Sequence, residues 1–325
     1  MSMKETAYIN AVARIRFNEL SLLSSADMEQ LITAKDTKAA LAVLRDKGWI
    51  DHEGRQDIDD SFKQQAEAAW ELLMEIAPDT DELRFLVVGN DFHNIKAALK
   101  SFVAQEPEVR SFITPSIIPP QEIRDAIFNK DRKDLPDFAR NAIEKTYNVL
   151  VRTLDGQLAD IMLDAMALDC MAEFAARTRS SFVTDLVELI SATANLKIAL
   201  RAARTGKGEQ FLTDALCNTK TISRNELIAA TLKGEEELRA FISNSAYGGA
   251  VEQLQKSAAA FEKWCDDLII SHISSAKYKS FGIDPLVAYF FAKQAEIKSV
   301  RIIISCKQIK LPAEAIRERV REIYV

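Results

Sequence analysis

Six apolar residues recur at intervals of three or four within residues 85–102. They are Phe85, Val88, Phe92, Ile95, Leu99 and Phe102. Because an α-helix turns once in about 3.6 residues, this spacing puts all six side chains on one helix face. Such a stripe packs against neighbouring helices. The pattern therefore predicts a helix that begins near Leu83 and buries one long face, which we call its seam.

The same seam helix returns twice, each time after 101 residues. Ile95-Lys96 corresponds to Leu196-Lys197 and then to Ile297-Lys298. Other apolar positions repeat at the same spacing: Phe85, Leu186 and Val287; Val88, Leu189 and Phe290; Ala98, Ala199 and Val300. A helix repeated at one spacing predicts a chain made of three related helical repeats.

Short helices precede the seam helix in each predicted repeat. In the first repeat, Ser25 is the predicted helix cap and Gly48 the predicted helix stop. In the third repeat, Ser223 and Glu226 form a capping box. The order of elements thus repeats, and the predicted fold class is all-α. The three predicted repeats are residues 1–105, 106–210 and 211–325.

Composition agrees with a helical fold. The 325 residues include only 10 Gly and 8 Pro, whereas the usual shares are about 7% and about 5%, so turns are scarce. A content of 48% hydrophobic and 28% charged residues is typical of a folded chain. No apolar run approaches the roughly 20 residues that cross a bilayer, so we expect no membrane span. The four dispersed cysteines predict reduced, mostly buried thiols.

Charge is unevenly distributed around a net value of −6. Residues 51–82 hold 11 acidic and 2 basic side chains, a balance of −9, and residues 281–325 hold 8 basic and 5 acidic, a balance of +3. The net charge gives no general attraction to nucleic acid, so no nucleic-acid partner is expected. The two segments are candidate contact surfaces for different partners. The alternative interpretation is that both are solvated helix faces.

Asp91 and His93 are the first candidates for acid–base chemistry. Two positions apart on a helix, their side chains point roughly 200° away from each other. The equivalent positions in the other repeats hold Ala192 and Ala194, and Lys293 and Ala295. We therefore predict structural hydrogen bonds for this pair and no catalysis.

Other chemical motifs are missing from the sequence. The three histidines, at positions 52, 93 and 272, do not show metal-ligand spacing. Residues 205–208 resemble a phosphate loop only in part, because the leading glycine and a preceding strand are lacking, and they predict a helix stop. The sequence therefore predicts no catalytic, cofactor-binding or metal-ligating residue, and no small-molecule substrate.

Lys96, Lys197 and Lys298 each follow a seam residue directly. Each side chain should leave the buried stripe at an angle of about 100°. If the three repeats surround a pseudo-threefold axis, these lysines form a partial ring. The alternative is that lysine occupies a solvated helix face, where it favours helix formation.

Four segments resemble the C subunits of bacterial and archaeal V-type (A-type) ATPases, whose eukaryotic counterpart is the d subunit. They are YINAVARIR at 8–16, the stretch 83–96 that ends in DFHNIK, EIKSVRIII at 296–304 and LPAEAIRERVREIYV at 311–325. The segments lie at the start, in the first third and at the end, so the resemblance covers the whole chain. The part from about 105 to 180 matches poorly.

This resemblance implies a funnel-shaped body of three pseudo-threefold-related helical subdomains. It also implies a non-catalytic component of the central stalk, present in single copy on the cytoplasmic face of the membrane. Such a component receives the D and F shaft subunits and sits on the membrane rotor ring, so that ATP hydrolysis or synthesis is linked to proton or sodium transport. The family supplies no catalytic or cofactor residues. The alternative function is a helical-repeat scaffold for an unrelated protein, although a repeat of about 100 residues exceeds the usual scaffold repeats.

Overall fold

The computed structural model describes residues 7–50, 57–106, 108–153 and 156–325. Within these ranges the chain is helical and contains no strand, which confirms the all-α prediction. The α-helices are α1 (Ile9–Glu19), α2 (Ser25–Thr33), α3 (Thr37–Asp46), α4 (Ile58–Ile76), α5 (Val88–Ala104), α6 (Pro120–Phe128), α7 (Asp137–Thr153), α8 (Gly156–Arg177), α9 (Ser181–Thr205), α10 (Glu209–Ala215), α11 (Arg224–Lys233), α12 (Glu235–Ser243), α13 (Gly249–Lys256), α14 (Ala258–Ser274), α15 (Asp284–Gln308) and α16 (Ala313–Arg317). Two 3₁₀ helices cover Thr80–Leu86 and Ser275–Tyr278.

The chain divides into two compact units. Unit 1 combines the N-terminal part up to Thr80 with Ala250–Val325, and unit 2 is Asp81–Gly249. The three sequence repeats have other boundaries, and their arrangement about an axis stays a prediction.

Unit 1 is built around α15, the third seam helix. This helix packs against α1, α2, α3 and α4 from the N-terminal part and against α14 and α16 from the C-terminal part. The core joins Leu31 and Leu44 of the short helices to Val300 and Ile303 of α15. The two chain ends thus share one hydrophobic core.

Unit 2 contains the first and second seam helices, α5 and α9. Helix α5 packs against α6, α7 and α8, whereas α9 packs against α8, α10, α11 and α12. Each seam helix is therefore covered by short helices that belong to the next sequence repeat, and α15 is covered by those of the first. The 101-residue spacing identifies equivalent helices, but it does not say which helices pack together.

Two predicted helices differ from the observed ones. The first seam helix begins at Val88 and is preceded by the 3₁₀ helix Thr80–Leu86, whereas the sequence predicts one helix from near Leu83. The sequence also predicts a last short helix over 313–324, with Pro312 before its start, whereas the observed helix ends at Arg317. Residues 318–325 are not part of this helix and instead contact α14. Arg321 Nε donates to Asp266 at 2.7 Å, and the Glu322 N–H donates to Asp267 at 2.8 Å. No helix in the described ranges is both long enough and apolar enough to cross a bilayer.

Candidate functional site

Three of the four repeated seam sets are buried in all three copies, and in the fourth set Leu189 is half-buried whereas Val88 and Phe290 are buried. Ile95, Leu196 and Ile297 are buried, as are the equivalent sets Phe85, Leu186 and Val287, and Ala98, Ala199 and Val300. The large apolar side chains of a buried stripe hold a helix rigidly against its neighbours. The seams are therefore structural, and any partner must contact the outward faces of these helices.

A buried polar residue precedes the seam residue in every repeat, and sequence reasoning missed it. The three residues are Asn94, Asn195 and Glu296, at the same 101-residue spacing. Asn94 exchanges hydrogen bonds with the backbone of Ile113 at 3.0 and 2.8 Å. Asn195 does the same with Cys217 at 2.9 and 3.1 Å. Each amide thus pairs with one backbone donor and one backbone acceptor in a loop further along the chain.

Asp91 and His93 form separate hydrogen bonds to the loop that follows α5. The Asp91 carboxylate accepts the N–H groups of Ile118 at 2.8 Å and Ile117 at 3.1 Å. His93 Nε2 lies 2.9 Å from the Ser111 carbonyl oxygen. The two side chains therefore make structural hydrogen bonds to separate backbone groups, as the sequence predicts.

Burial changes the proton affinity of Asp91. Loss of hydration disfavours the charged carboxylate and raises its pKa from 3.8 to about 7, although the two backbone N–H groups act in the opposite direction. This carboxyl group is enclosed by the loop it holds. The raised pKa of Asp91 thus follows from the burial of its carboxyl group.

In the third copy, Glu296 occupies the position equivalent to Asn94 and belongs to a buried ion pair. Lys293 Nζ donates to Glu296 at 2.7 Å, and the two residues are only 6% and 5% exposed. The other oxygen of Glu296 accepts the Leu23 N–H, while the ammonium lies 4.8 Å from the ring centre of Trp49. Burial raises the pKa of Glu296, and the nearby ammonium opposes that rise. This pair ties α15 to the N-terminal segment.

Two of the repeated lysines form ion pairs with neighbouring helices. Lys96 Nζ pairs with Asp164 of α8 at 2.6 Å, and Lys298 Nζ pairs with Asp266 of α14 at 2.6 Å. Lys197 is half-buried on α9. The partial ring of three lysines stays a prediction.

The structure describes only part of the acidic segment at 51–82 but all of the basic segment at 281–325. Residues 51–56 of the acidic segment, which include His52, lie outside the described residues. The remainder contains Asp57, which caps α4, and Asp59 and Asp60 in its first turn, where negative charge complements the helix dipole. Part of the acidity thus stabilises a helix end. The basic segment at 281–325 comprises α15, α16 and the C-terminal tail.

The cysteines lie in surroundings that disfavour thiolate chemistry. All four are free and buried. Burial raises the pKa of Cys170 to about 12 and that of Cys217 to about 11, so neither is a ready thiolate nucleophile. In the described part of the chain, no group of three His, Cys, Asp or Glu residues could hold a metal ion. At residues 205–208, Gly206 has a φ of 65° and ends α9, which confirms the predicted helix stop.

One end of unit 1 presents exposed apolar side chains, which the sequence did not reveal. Phe17, Leu20 and Tyr278 are 75%, 82% and 91% exposed. Arg16 Nη2 donates to the carbonyl oxygens of Ala276 at 2.7 Å and Lys279 at 2.8 Å, which brings these residues to the same end. We call Phe17, Leu20 and Tyr278 the apolar end patch. This patch is a candidate contact surface, because large apolar side chains that lie exposed close together are favourable to bury.

Comparison with known proteins gives matches over nearly the whole chain. The family described as ATP synthase (C/AC39) subunit, vATP-synt_AC39, matches residues 11–319. The C subunit of the V-type sodium ATPase of Enterococcus hirae is 21% identical over 318 residues, which cover 95% of this chain and 97% of that protein.

Two archaeal proteins show the same breadth of similarity. The C subunit of the A-type ATP synthase of Methanocaldococcus jannaschii is 24% identical, over 96% of this chain and 85% of its own length. The corresponding A-type ATP synthase protein of Methanosphaera stadtmanae is 22% identical, over 97% and 88%. With the family match spanning 11–319, the all-helical chain belongs to the family of C/AC39 subunits of V-type and A-type ATP synthases.

Proposed function

We propose that this protein is a non-catalytic component of the central stalk of a rotary V/A-type ATPase. In this role it couples the rotating shaft to the membrane rotor ring, so that ATP hydrolysis or synthesis is linked to proton or sodium transport. The observation that carries the proposal is the family match across residues 11–319. The coverage of the ATPase relatives supports it, since the alignments extend over 95% and 96% of this chain and over 97% and 85% of the relatives.

The packing of the helices suits a part that transmits torque. Long helices with continuous buried seams resist bending, and buried polar residues tie the connecting loops to them. The buried Lys293–Glu296 pair joins the two ends of the chain within unit 1. Stiffness of this kind is what a coupling element needs in place of an active site.

The expected partners are the D and F shaft subunits and the rotor ring, with one copy of this chain in each complex. The chain would lie at the cytoplasmic face of the membrane as a peripheral part of the assembly. The apolar end patch and the basic segment at 281–325 are two candidate contact surfaces on unit 1. Two contact surfaces agree with a component placed between two partners.

Native purification tests this function. A chromosomally tagged chain, extracted with mild detergent from native membranes, should co-purify with the other ATPase subunits in single copy. A deletion strain should retain ATP hydrolysis by the detached head but lose ATP-driven ion transport in membrane vesicles. Purification with unrelated proteins alone, or normal ion transport in the deletion strain, would contradict the proposal.

A further inference from the structure

The last eight residues of the chain, 318–325, follow α16 and lie along α14 in unit 1. We call them the C-terminal strap. Val320, Arg321 and Tyr324 of the strap are buried, whereas Glu322 and Val325 are exposed. A chain end keeps one position only where contacts tie it down. The strap therefore depends on the side chains that anchor it.

The middle of the strap is anchored to α14. Arg321 Nε donates to Asp266 at 2.7 Å, and the Glu322 N–H donates to Asp267 at 2.8 Å. The Arg321 and Asp266 side chains are only 8% and 16% exposed, so water screens their attraction less than it screens a surface pair. Asp266 also accepts a hydrogen bond from Lys298 Nζ at 2.6 Å, and it would keep this partner if Arg321 were replaced.

Tyr324 anchors the end of the strap. Its hydroxyl donates to Glu19 Oε1 at 3.1 Å, and Glu19 also accepts from Arg16 Nη1 at 2.7 Å. The Lys277 ammonium lies 4.7 Å from the centre of the Tyr324 ring, where the ring attracts a cation. One side chain of the strap thus contacts both the last turn of α1 and the 3₁₀ helix Ser275–Tyr278.

These two elements carry the apolar end patch. Glu19 and Lys277 each adjoin a patch residue in sequence. Arg16 links the two elements directly, by its hydrogen bonds to backbone carbonyl oxygens. Tyr324 links them a second time, through the strap. The position of the patch residues therefore depends in part on whether the strap is docked.

We propose that the C-terminal strap opens and closes as a local unit and that, when closed, it holds the apolar end patch in place. In the open form, Tyr324 leaves Glu19 and Lys277, and the end of α1 is freed from the 3₁₀ helix while α15 stays packed. A terminal segment held by a few side chains opens at a lower free energy than a core helix does. The patch is complete only in the closed form, so a molecule that binds the patch would shift the chain towards that form.

Hydrogen exchange of the purified full-length chain, followed by mass spectrometry of its peptides, tests this proposal. In Tyr324→Ala, we expect exchange in segments 17–22, 275–280 and 318–325 to become about tenfold faster or more, because a buried ring is lost. Tyr324→Phe keeps the ring and loses only the hydroxyl contact with Glu19, so we expect a rise of about threefold. Segment 297–304 of α15 should stay within about twofold of the wild type in both variants, since it belongs to the core.

The middle anchor provides a second variant. Arg321→Met removes the ion pair with Asp266, which retains Lys298. If the strap opens as one unit, exchange in segments 17–22 and 275–280 should again rise by about tenfold, together with that of 318–325. Val325→Ala is the matched control, because Val325 is exposed and adjoins Tyr324, and it should change exchange by less than about twofold. Thermal unfolding establishes that each variant is folded.

The exchange pattern decides the outcome. If segments 17–22 and 275–280 exchange as in the wild type in both Tyr324→Ala and Arg321→Met, the strap does not hold the patch and the proposal is wrong. Equal acceleration in 297–304 would also overturn it, since that result indicates global destabilisation and not local opening. Should Tyr324→Ala fail to fold, Tyr324→Phe and Arg321→Met still give the answer. All these measurements are made on the chain alone, so a negative result leaves the proposed function, which co-purification tests, unaffected.

Discussion

The first and third seam helices share an apolar stripe but hold their neighbouring segments by different polar contacts. In α5, Asn94 and Asp91 bind the backbone of the following loop. In α15, the polar contact is a buried ion pair of Glu296, equivalent to Asn94, with Lys293, and it reaches the Leu23 N–H. The amide of Asn94 is neutral, whereas each charge of the ion pair would be buried without compensation if the other were removed. The repeat therefore preserves the position of a buried polar residue but not whether that residue is neutral or charged.

The largest loss of stability should follow the removal of one charge from the buried ion pair of the third copy. In the third copy, Glu296→Gln leaves the Lys293 ammonium buried without its carboxylate, and we expect a loss of about 3–5 kcal/mol in the free energy of unfolding. Urea denaturation followed by circular dichroism measures this loss. The double variant Lys293→Met/Glu296→Gln should recover much of it, because neither buried charge remains. A loss below about 1 kcal/mol for the single variant would show that the pair is hydrated or dispensable.

In the first copy, Asn94→Ala should cost about 2–3 kcal/mol, because the substitution leaves the Ile113 N–H and carbonyl groups without their side-chain partner. Urea denaturation gives the total effect, and amide hydrogen exchange at Ile113 reports the local one. Asn195→Ala is the matched variant, since Asn195 holds Cys217 in the same way. If exchange at Ile113 stays unchanged, Asn94 does not hold this loop.

Asp91 should make stability depend on pH. The unfolded carboxyl group loses its proton near its ordinary pKa of 3.8, and the folded one near a pKa of about 7. Between these values the folded state binds more protons, so the free energy of unfolding falls as pH rises towards 7 and levels off above it. We expect the wild type to lose about 2 kcal/mol relative to Asp91→Asn between about pH 5 and pH 8.

Parallel urea titrations at several pH values measure this difference. The exposed Asp185, changed to Asn, serves as the control and should leave the pH dependence close to that of the wild type. A pH dependence that is the same in Asp91→Asn and in the wild type would show that Asp91 titrates as an ordinary surface carboxyl.

The smallest effect should come from the repeated lysines. Lys96→Ala removes an ion pair whose carboxylate, that of Asp164, is 62% exposed. Solvent screening limits such a pair to about 0–1 kcal/mol, and we expect a similarly small value for Lys298→Ala. Thermal unfolding at low and high salt measures both. A loss above about 2 kcal/mol at either site would mean that the lysine has a structural role beyond its ion pair.

Much of the helical framework could be predicted from residue order alone. Apolar residues at helical spacing identified the seams around Ile95, Leu196 and Ile297, and all three are buried. The cap at Ser223 and the stop at Gly206 were also predictable, because capping and positive φ depend on residues close in sequence. Asn94, Asn195 and Glu296 were not recognised, although their shared spacing was a signal. Polar residues beside a seam suggest a solvated face until their backbone partners are known.

The sequence by itself determined the all-helical class, the three equivalent seam helices and the family, since each depends on local periodicity or on residue identity along the chain. Tertiary structure alone decided that α15 packs with α2 and α3 from the opposite end of the chain. It also decided that Lys298 and Arg321 share Asp266, and that burial encloses Asp91. These features depend on distances between residues far apart in sequence. Burial and local charge balance depend on contacts between such distant residues. The spacing of apolar residues along one helix does not specify those contacts.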